Sequence, residues 1–230
     1  MCRNTATPAR QQLIDEFGSA PDEDYPAEAY SYYRAPFVIS AEGQAKPYLV
    51  QGAYFGLLSY KYGTLANSLG KVKNTENARS ETIHELWSYE RPWKRAQFCL
   101  LPMLAFYEPF WGDHGELKKS VRYSIQRTDH ARFTVAGIYD EWQDKDTQQW
   151  VRSYALITIN GDGHPIAGRM HRPGHEKRTL VVIPNDKRDA WINQTTPEHA
   201  RAFFVLYSPA VFTCAPSPKD SGRRADGDLL

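Results

Sequence analysis

Between residues 97 and 160 the chain repeats one pattern, a short run of β-branched and aromatic residues followed by a polar turn. The runs are "QFCLLPMLAFYEPFW", "VRYSIQR", "FTVAGIYDEW" and "SYALITIN"; "GDHGE", "RTDHAR" and "DKDTQQ" separate them. Spacing this regular predicts a meander of antiparallel strands. Three more strands are predicted, from "FVIS", from "YLVQGAYFGLLSY" with a break at Gly52, and from "TLVVIP". Helices are expected at 9–17, after the Thr7-Pro8 start signal, and in "NDKRDAWIN". A third helix is expected in "SETIHELWSYERPWKRA", with a capping box at Ser80 and Glu81 and an end before Pro92. Residues 63–76 read as a polar loop. From Pro216 onward no apolar periodicity is left, which predicts a disordered tail over 216–230. The sum is one α+β domain over residues 1–215, built on a mixed or antiparallel sheet with peripheral helices.

Composition narrows the class of protein. Hydrophobic residues make up 41% of 230, enough for one sizeable core. No stretch approaches the ~20 apolar residues of a membrane span, and the N-terminus lacks the basic-then-apolar pattern of a secretory signal. A soluble, cytoplasmic protein with no membrane partner is the expectation. Three cysteines, at 2, 99 and 214, fit neither a metal spacing nor a disulfide framework, so reduced thiols are expected, with no metal and no cofactor. The net charge of +1 neither demands nor excludes nucleic acid. Nothing calls for an oligomer, and a monomer is the default.

Four short stretches carry chemistry: "MC" at the start, "NARSET" at 77–82, "FYEPFW" at 106–111 and "GHPIAGRMHRPGHEKR" at 163–178. If Met1 is removed, Cys2 presents an α-amine and a thiol on adjacent carbons. Glu108 lies among aromatics, where a carboxylate has a raised pKa and exchanges protons near neutrality; a partly exposed strand-end Glu is the plainer reading. "NARSET" also reads as a helix cap with a solvated face. His171 reads as a loop cap, and His175 and Glu176 as surface charges.

Taken together and in this order, these stretches, with "YRAP" at 33–36, "FTVAGIYDEW" and "LITINGDGHPIAGRMHRPGHEKRTLVVIP", make the chain resemble the SRAP family. Its members are also called SOS response-associated peptidases or abasic-site processing proteins. The resemblance runs from Cys2 to about Ile192. Where the family commonly begins M-C-G-R, this chain has Met-Cys-Arg-Asn, and Arg178-Thr179-Leu180 stands for its R-M-P.

The resemblance implies a single barrel-like domain that binds single-stranded DNA containing abasic sites and crosslinks to them through Cys2 as a thiazolidine. It also implies abasic-site lyase activity and self-processing as a peptidase. Removal of Met1 by the site itself or by a general methionine aminopeptidase are both open. Carried over by motif, Asn77 orients Cys2, Glu108 shuttles protons and His171 acts as acid or base, with His175 as its competitor. Arg79 is the phosphate ligand, its plainer role being a salt bridge with an acid such as Glu81. Trp87, Trp93, Phe106 and Trp111 are candidate stacking surfaces or core residues. Arg91, Lys94 and Arg95 form a basic cluster, along the DNA path or merely solvated. Two other readings stand beside this one. One is a thiol-dependent peptidase or amidase using Cys2, Glu108 and His171, unrelated to DNA. The other is a single-strand-binding domain without chemistry.

Overall fold

The longest strands are buried on both faces along most of their length. The computed structural model, which describes residues 2–41 and 47–219, explains why. In chain order its elements are β1 (Asn4–Ala6), α1 (Arg10–Phe17), β2 (Glu28–Tyr30), β3 (Arg34–Ser40), β4 (Tyr48–Phe55) and α2 (Leu65–Lys71). Then come β5 (Asn77–Arg79), α3 (Trp87–Lys94), β6 (Phe98–Met103), β7 (Ala105–Phe110), β8 (Val121–Arg127) and β9 (Phe133–Gln143). β10 (Trp150–Asn160), β11 (Arg178–Leu180), β12 (Val182–Ile183), α4 (Arg188–Ile192), α5 (Pro197–Ala200) and β13 (Phe212–Pro216) complete the fold.

β3, β4, β10, β9 and β6 pair in a closed ring, a five-stranded barrel that is antiparallel except where β10 meets β4. One face of each strand looks into the barrel. Cys99, Leu101, Val135, Tyr154 and Leu156 lie in that inner cluster. The alternate residues Leu100, Ala136, Ala155 and Ile157 join a second cluster, where Leu13, Trp93 and Trp191 of the helices cover the outside. Burial on both faces is the reason these strands read as nearly continuous hydrophobic runs. Gly137 sits where the strands pack closely: a Cβ there would come 2.2 Å from Leu101 Cδ2 and 2.9 Å from the Ala155 carbonyl oxygen.

Past Gly137, β9 and β10 part. The segment 178–183 enters the gap, with β11 on β10 and β12 on β9. β5 runs parallel beside β10, aligning Asn77 with Leu156. A second sheet, in the order β13-β8-β7-β1-β2, packs against the barrel. The barrel-like α+β expectation is met.

Local expectations needed correction where tertiary pairing intervened. The run at 97–111 breaks at Leu104 into β6 and β7, which belong to different sheets. Residues 65–71 form a helix rather than a loop, capped by Thr64, whose hydroxyl accepts from the Asn67 N–H. Leu65 and Leu69 pack that helix against Leu58 and Trp142. The helix expected from Ser80 starts only at Trp87 and continues through Pro92. Ser80 is drawn to β10 instead, its N–H donating to the Thr158 carbonyl at 2.9 Å, and Glu81 spends its carboxylate on Arg178 rather than on a cap. β13 reaches Pro216, and the Ser217 N–H donates to the Arg122 carbonyl, so ordered structure extends past residue 215. Residues 220–230 of the expected tail lie outside the described residues. Among the described residues no helix is long and apolar enough to cross a membrane.

Candidate active site

β7 is the hub. β1 lies antiparallel to it with Thr5 opposite Phe106, and continuing that register sets Arg3 across from Glu108 and Cys2 across from Pro109. Further along the same edge of the hub, opposite β8, the His171 N–H donates to the Pro109 carbonyl at 2.7 Å, next to a bridge between Phe110 and Met170. The N-terminus and the late loop therefore meet at Pro109 of β7.

Cys2, Asn77, Glu108 and His171 come together there. Cys2 is fully buried, and its thiol donates to the Asn4 carbonyl at 3.3 Å. Asn77 Nδ2 donates to the Cys2 carbonyl oxygen at 2.7 Å, while the Asn77 carbonyl accepts from the Tyr89 hydroxyl. Glu108 Oε2 stands 3.3 Å from His171 Nε2. Burial, assisted by the charge of Glu108, pushes the Cys2 thiol up to about 12. Burial raises Glu108 to about 7 and lowers His171 to about 3. Near neutrality the carboxyl, rather than the imidazole, is thus the group that gains and loses a proton.

The loop that carries His171 is held in an unusual shape. His171 has a φ of 63°, a left-handed conformation that a side chain adopts at a cost of order 1–3 kcal/mol. Lys177 stabilises it by donating from Nζ to three successive carbonyls, those of Met170, His171 and Arg172, at 2.7, 3.0 and 3.3 Å. His175, the competing candidate, is exposed on the rim of the same cleft.

Two open clefts flank the cluster and share Pro109. One, of about 380 Å³, is walled by Arg79, Trp111, His171, Arg172, His175 and Arg178. The other, of about 410 Å³, exposes Arg3, Tyr30, Tyr107, Arg122 and Lys219 beside Glu108. Arg79 pairs with Glu176 at 2.8 Å, not with Glu81. Of the four aromatics, Trp93 and Phe106 are core, Trp87 is exposed and Trp111 lines the first cleft, with the Arg172 guanidinium 5.0 Å from its ring. Arg91 is bound to Asp140 and Lys94 to Glu90, and with Arg95 they lie off both clefts. Among the described residues no group of three or more His, Cys, Asp or Glu side chains is placed to hold a metal ion.

Arg3 and Asn4, where the chain departs from M-C-G-R, turn out to be anchors. Arg3 reaches Glu76, the neighbour of Asn77, at 3.1 Å. Asn4 Nδ2 donates to the Ala29 carbonyl, and its Oδ1 accepts from Arg122, which also pairs with Glu28 at 2.8 Å. Sequence reading missed Arg122 and Lys177. Arg122 acts through Asn4 and Glu28, far away in the chain, and Lys177 through main-chain carbonyls of its own loop, which no side-chain motif signals.

A closed barrel flanked by a sheet whose β7 carries a carboxyl–imidazole pair beside the buried thiol of Cys2 defines a class of protein with its candidate centre at the junction of β7, Cys2 and the His171 loop. Residues 1–219 match the family described as SOS response associated peptidase (SRAP), and the chain belongs to that family. The match passes Ile192 and takes in β13. The chain is 28% identical over 177 residues to the abasic site processing protein YMR114C of Saccharomyces cerevisiae, covering 74% of this chain and 44% of the yeast protein. It thus spans less than half the length of that relative. A solved structure of a protein from Bordetella bronchiseptica is similar over 95% of this chain and 100% of its own, at 27% identity and a TM-score of 0.81. One from Bacteroides thetaiotaomicron shares the fold at 20% identity, with a TM-score of 0.76 over 94% of this chain and 91% of its own.

Proposed function

We propose that this protein captures abasic sites in single-stranded DNA by bonding covalently to them through Cys2. The observation that carries the reading is the convergence of Cys2, Asn77, Glu108 and His171 between two open clefts rich in arginine and aromatic side chains. The name of the yeast relative supplies the substrate class.

An abasic deoxyribose opens to an aldehyde at C1′. Once Met1 is removed, the Cys2 amine, with an ordinary pKa of about 7.7–8.0, is partly neutral at physiological pH and attacks that carbon. The carbinolamine loses water as its hydroxyl takes a proton, which Glu108 supplies. The thiol then adds to the imine carbon. A C–S bond forms, the thiol proton passes to nitrogen, and the five-membered thiazolidine closes. Asn77 holds the Cys2 carbonyl and so fixes the direction of the amine. His171, kept neutral by its burial, stands with Nε2 3.3 Å from the Glu108 carboxyl and orients it for the proton transfer. Arg79 takes a backbone phosphate, since a guanidinium grips two oxygens.

A thiol pushed up to about 12 suits this order of events, in which the amine acts first. It suits a cysteine peptidase poorly, because the thiolate is the nucleophile there and such sites lower the pKa. The test is direct. Protein lacking Met1, mixed with an abasic single-stranded oligonucleotide, gives an adduct that survives denaturing electrophoresis, and Cys2→Ala gives none. An undiminished adduct from Cys2→Ala would sink the proposal.

A further inference from the structure

Glu176 divides its carboxylate between two arginines. Oε2 lies 2.8 Å from Arg79 Nη1, and Oε1 lies 2.8 Å from Arg178 Nη1. The two cations are not equivalent. Arg178 is 3% exposed and has a second carboxylate, Glu81, which grips it through both oxygens at 2.9 and 2.8 Å. It also donates to the Thr158 carbonyl at 2.6 Å. Arg79 is 45% exposed on the cleft wall, where Glu176 is its ion-pair partner. The four groups, two arginines and two glutamates, sum to zero charge. The cation expected to take a phosphate already holds an anion.

We propose that Glu176 is a built-in competitor for the phosphate that Arg79 binds, and that it thereby determines how weakly the cleft holds a strand without a lesion. The inference rests on the reading of Arg79 as a phosphate ligand. Release of Glu176 is permitted because Arg178 keeps Glu81, so no buried charge is left unpaired. Residues 172–176 are exposed, while Lys177 pins the carbonyls of Met170, His171 and Arg172. Glu176 therefore swings out without dragging His171. On an intact strand the exchange of carboxylate for phosphate yields little, and the strand leaves. On an abasic strand the same encounter ends in a covalent bond at Cys2. Weak reversible binding thus costs the reaction little and clears undamaged strands.

The test measures binding of an undamaged single-stranded oligonucleotide by fluorescence anisotropy across a salt series. Wild type, Glu176→Gln, Arg79→Gln and the double variant are compared, with salt lowered until all four bind measurably. Glu176→Gln is expected to bind about three- to tenfold tighter, with a log K against log salt slope steeper by about 0.7. In the Arg79→Gln background the gain disappears. A Glu176→Gln variant that binds no tighter, or a gain that persists without Arg79, overturns the proposal. Adduct formation by wild type with an abasic strand is run alongside. If that adduct is missing, the functional reading fails; if it forms and Glu176→Gln binds as wild type does, only the competitor role fails.

Discussion

Glu108 is a carboxyl buried beside an imidazole, and its placement has a kinetic consequence. With burial raising it to about 7, it is an effective acid only below and around neutrality. The Cys2 amine must lose its proton, with an ordinary pKa of about 7.7–8.0. Adduct formation is therefore expected to follow a bell-shaped pH profile with its maximum near neutrality. Glu108→Gln should abolish the alkaline limb and slow the maximum rate by roughly 10²-fold. Quenched-flow gels over pH 5–9 decide this, and an unchanged alkaline limb in the variant would remove Glu108 from the acid role. Cys2→Ser separates the two bond-forming steps. It keeps the amine but loses the better nucleophile. The heat-stable adduct should vanish while borohydride still traps an imine; a stable adduct without borohydride would contradict ring closure through sulfur.

At the scale of elements, the site depends on strands that hold β1 and β7 in register against the barrel. Asn4 is the pin, gripped by the Ala29 carbonyl and by Arg122. Asn4→Ala leaves that partly buried guanidinium with an acceptor fewer and should cost about 1–3 kcal/mol in urea unfolding, with slower adduct formation. Equal stability and rate would show that β1 is held by pairing alone. In the barrel, Gly137→Ala puts a methyl against Leu101 and the Ala155 carbonyl and should destabilise by roughly 1–3 kcal/mol or more. A midpoint within error of wild type would mean that β9 and β10 part more easily than their packing implies. Element scale is also where the sequence was hardest to read. "SETIHELWSYER" has the letters of a capped helix, but Ser80 and Glu81 are spent on Thr158 and Arg178, partners 78 and 97 residues away.

For the whole molecule, the buried pair sets how stability responds to pH. Glu108 is raised from 4.5 to about 7, so the stability it contributes is complete below 4.5 and is lost as pH rises through 7. His171 is lowered from 6.5 to about 3, so its contribution is complete above 6.5 and is lost as pH falls through 3. Between 4.5 and 6.5 the two slopes oppose and cancel. Stability should therefore show a plateau there, falling on both sides. Glu108→Gln should remove the alkaline fall and keep the acid one. Urea midpoints from pH 3 to 8 test this; a variant that still loses stability between pH 4.5 and 7 would place the titration elsewhere. What the sequence determined by itself was the strand-rich α+β class and the identity of Cys2, Asn77, Glu108 and His171 as candidates. Strand periodicity and a fixed order of motifs are local properties that survive without coordinates. Only the tertiary structure decided that His171 rather than His175 meets Glu108. It alone tied Arg3 and Asn4 to Glu76 and Arg122, and gave Glu176 to Arg79. Those choices depend on which distant strands pair, at β7 for the N-terminus and His171 and at β10 for the segment of Glu76 and Arg79, and that pairing is set by how the second sheet and β5 come together around the closed barrel.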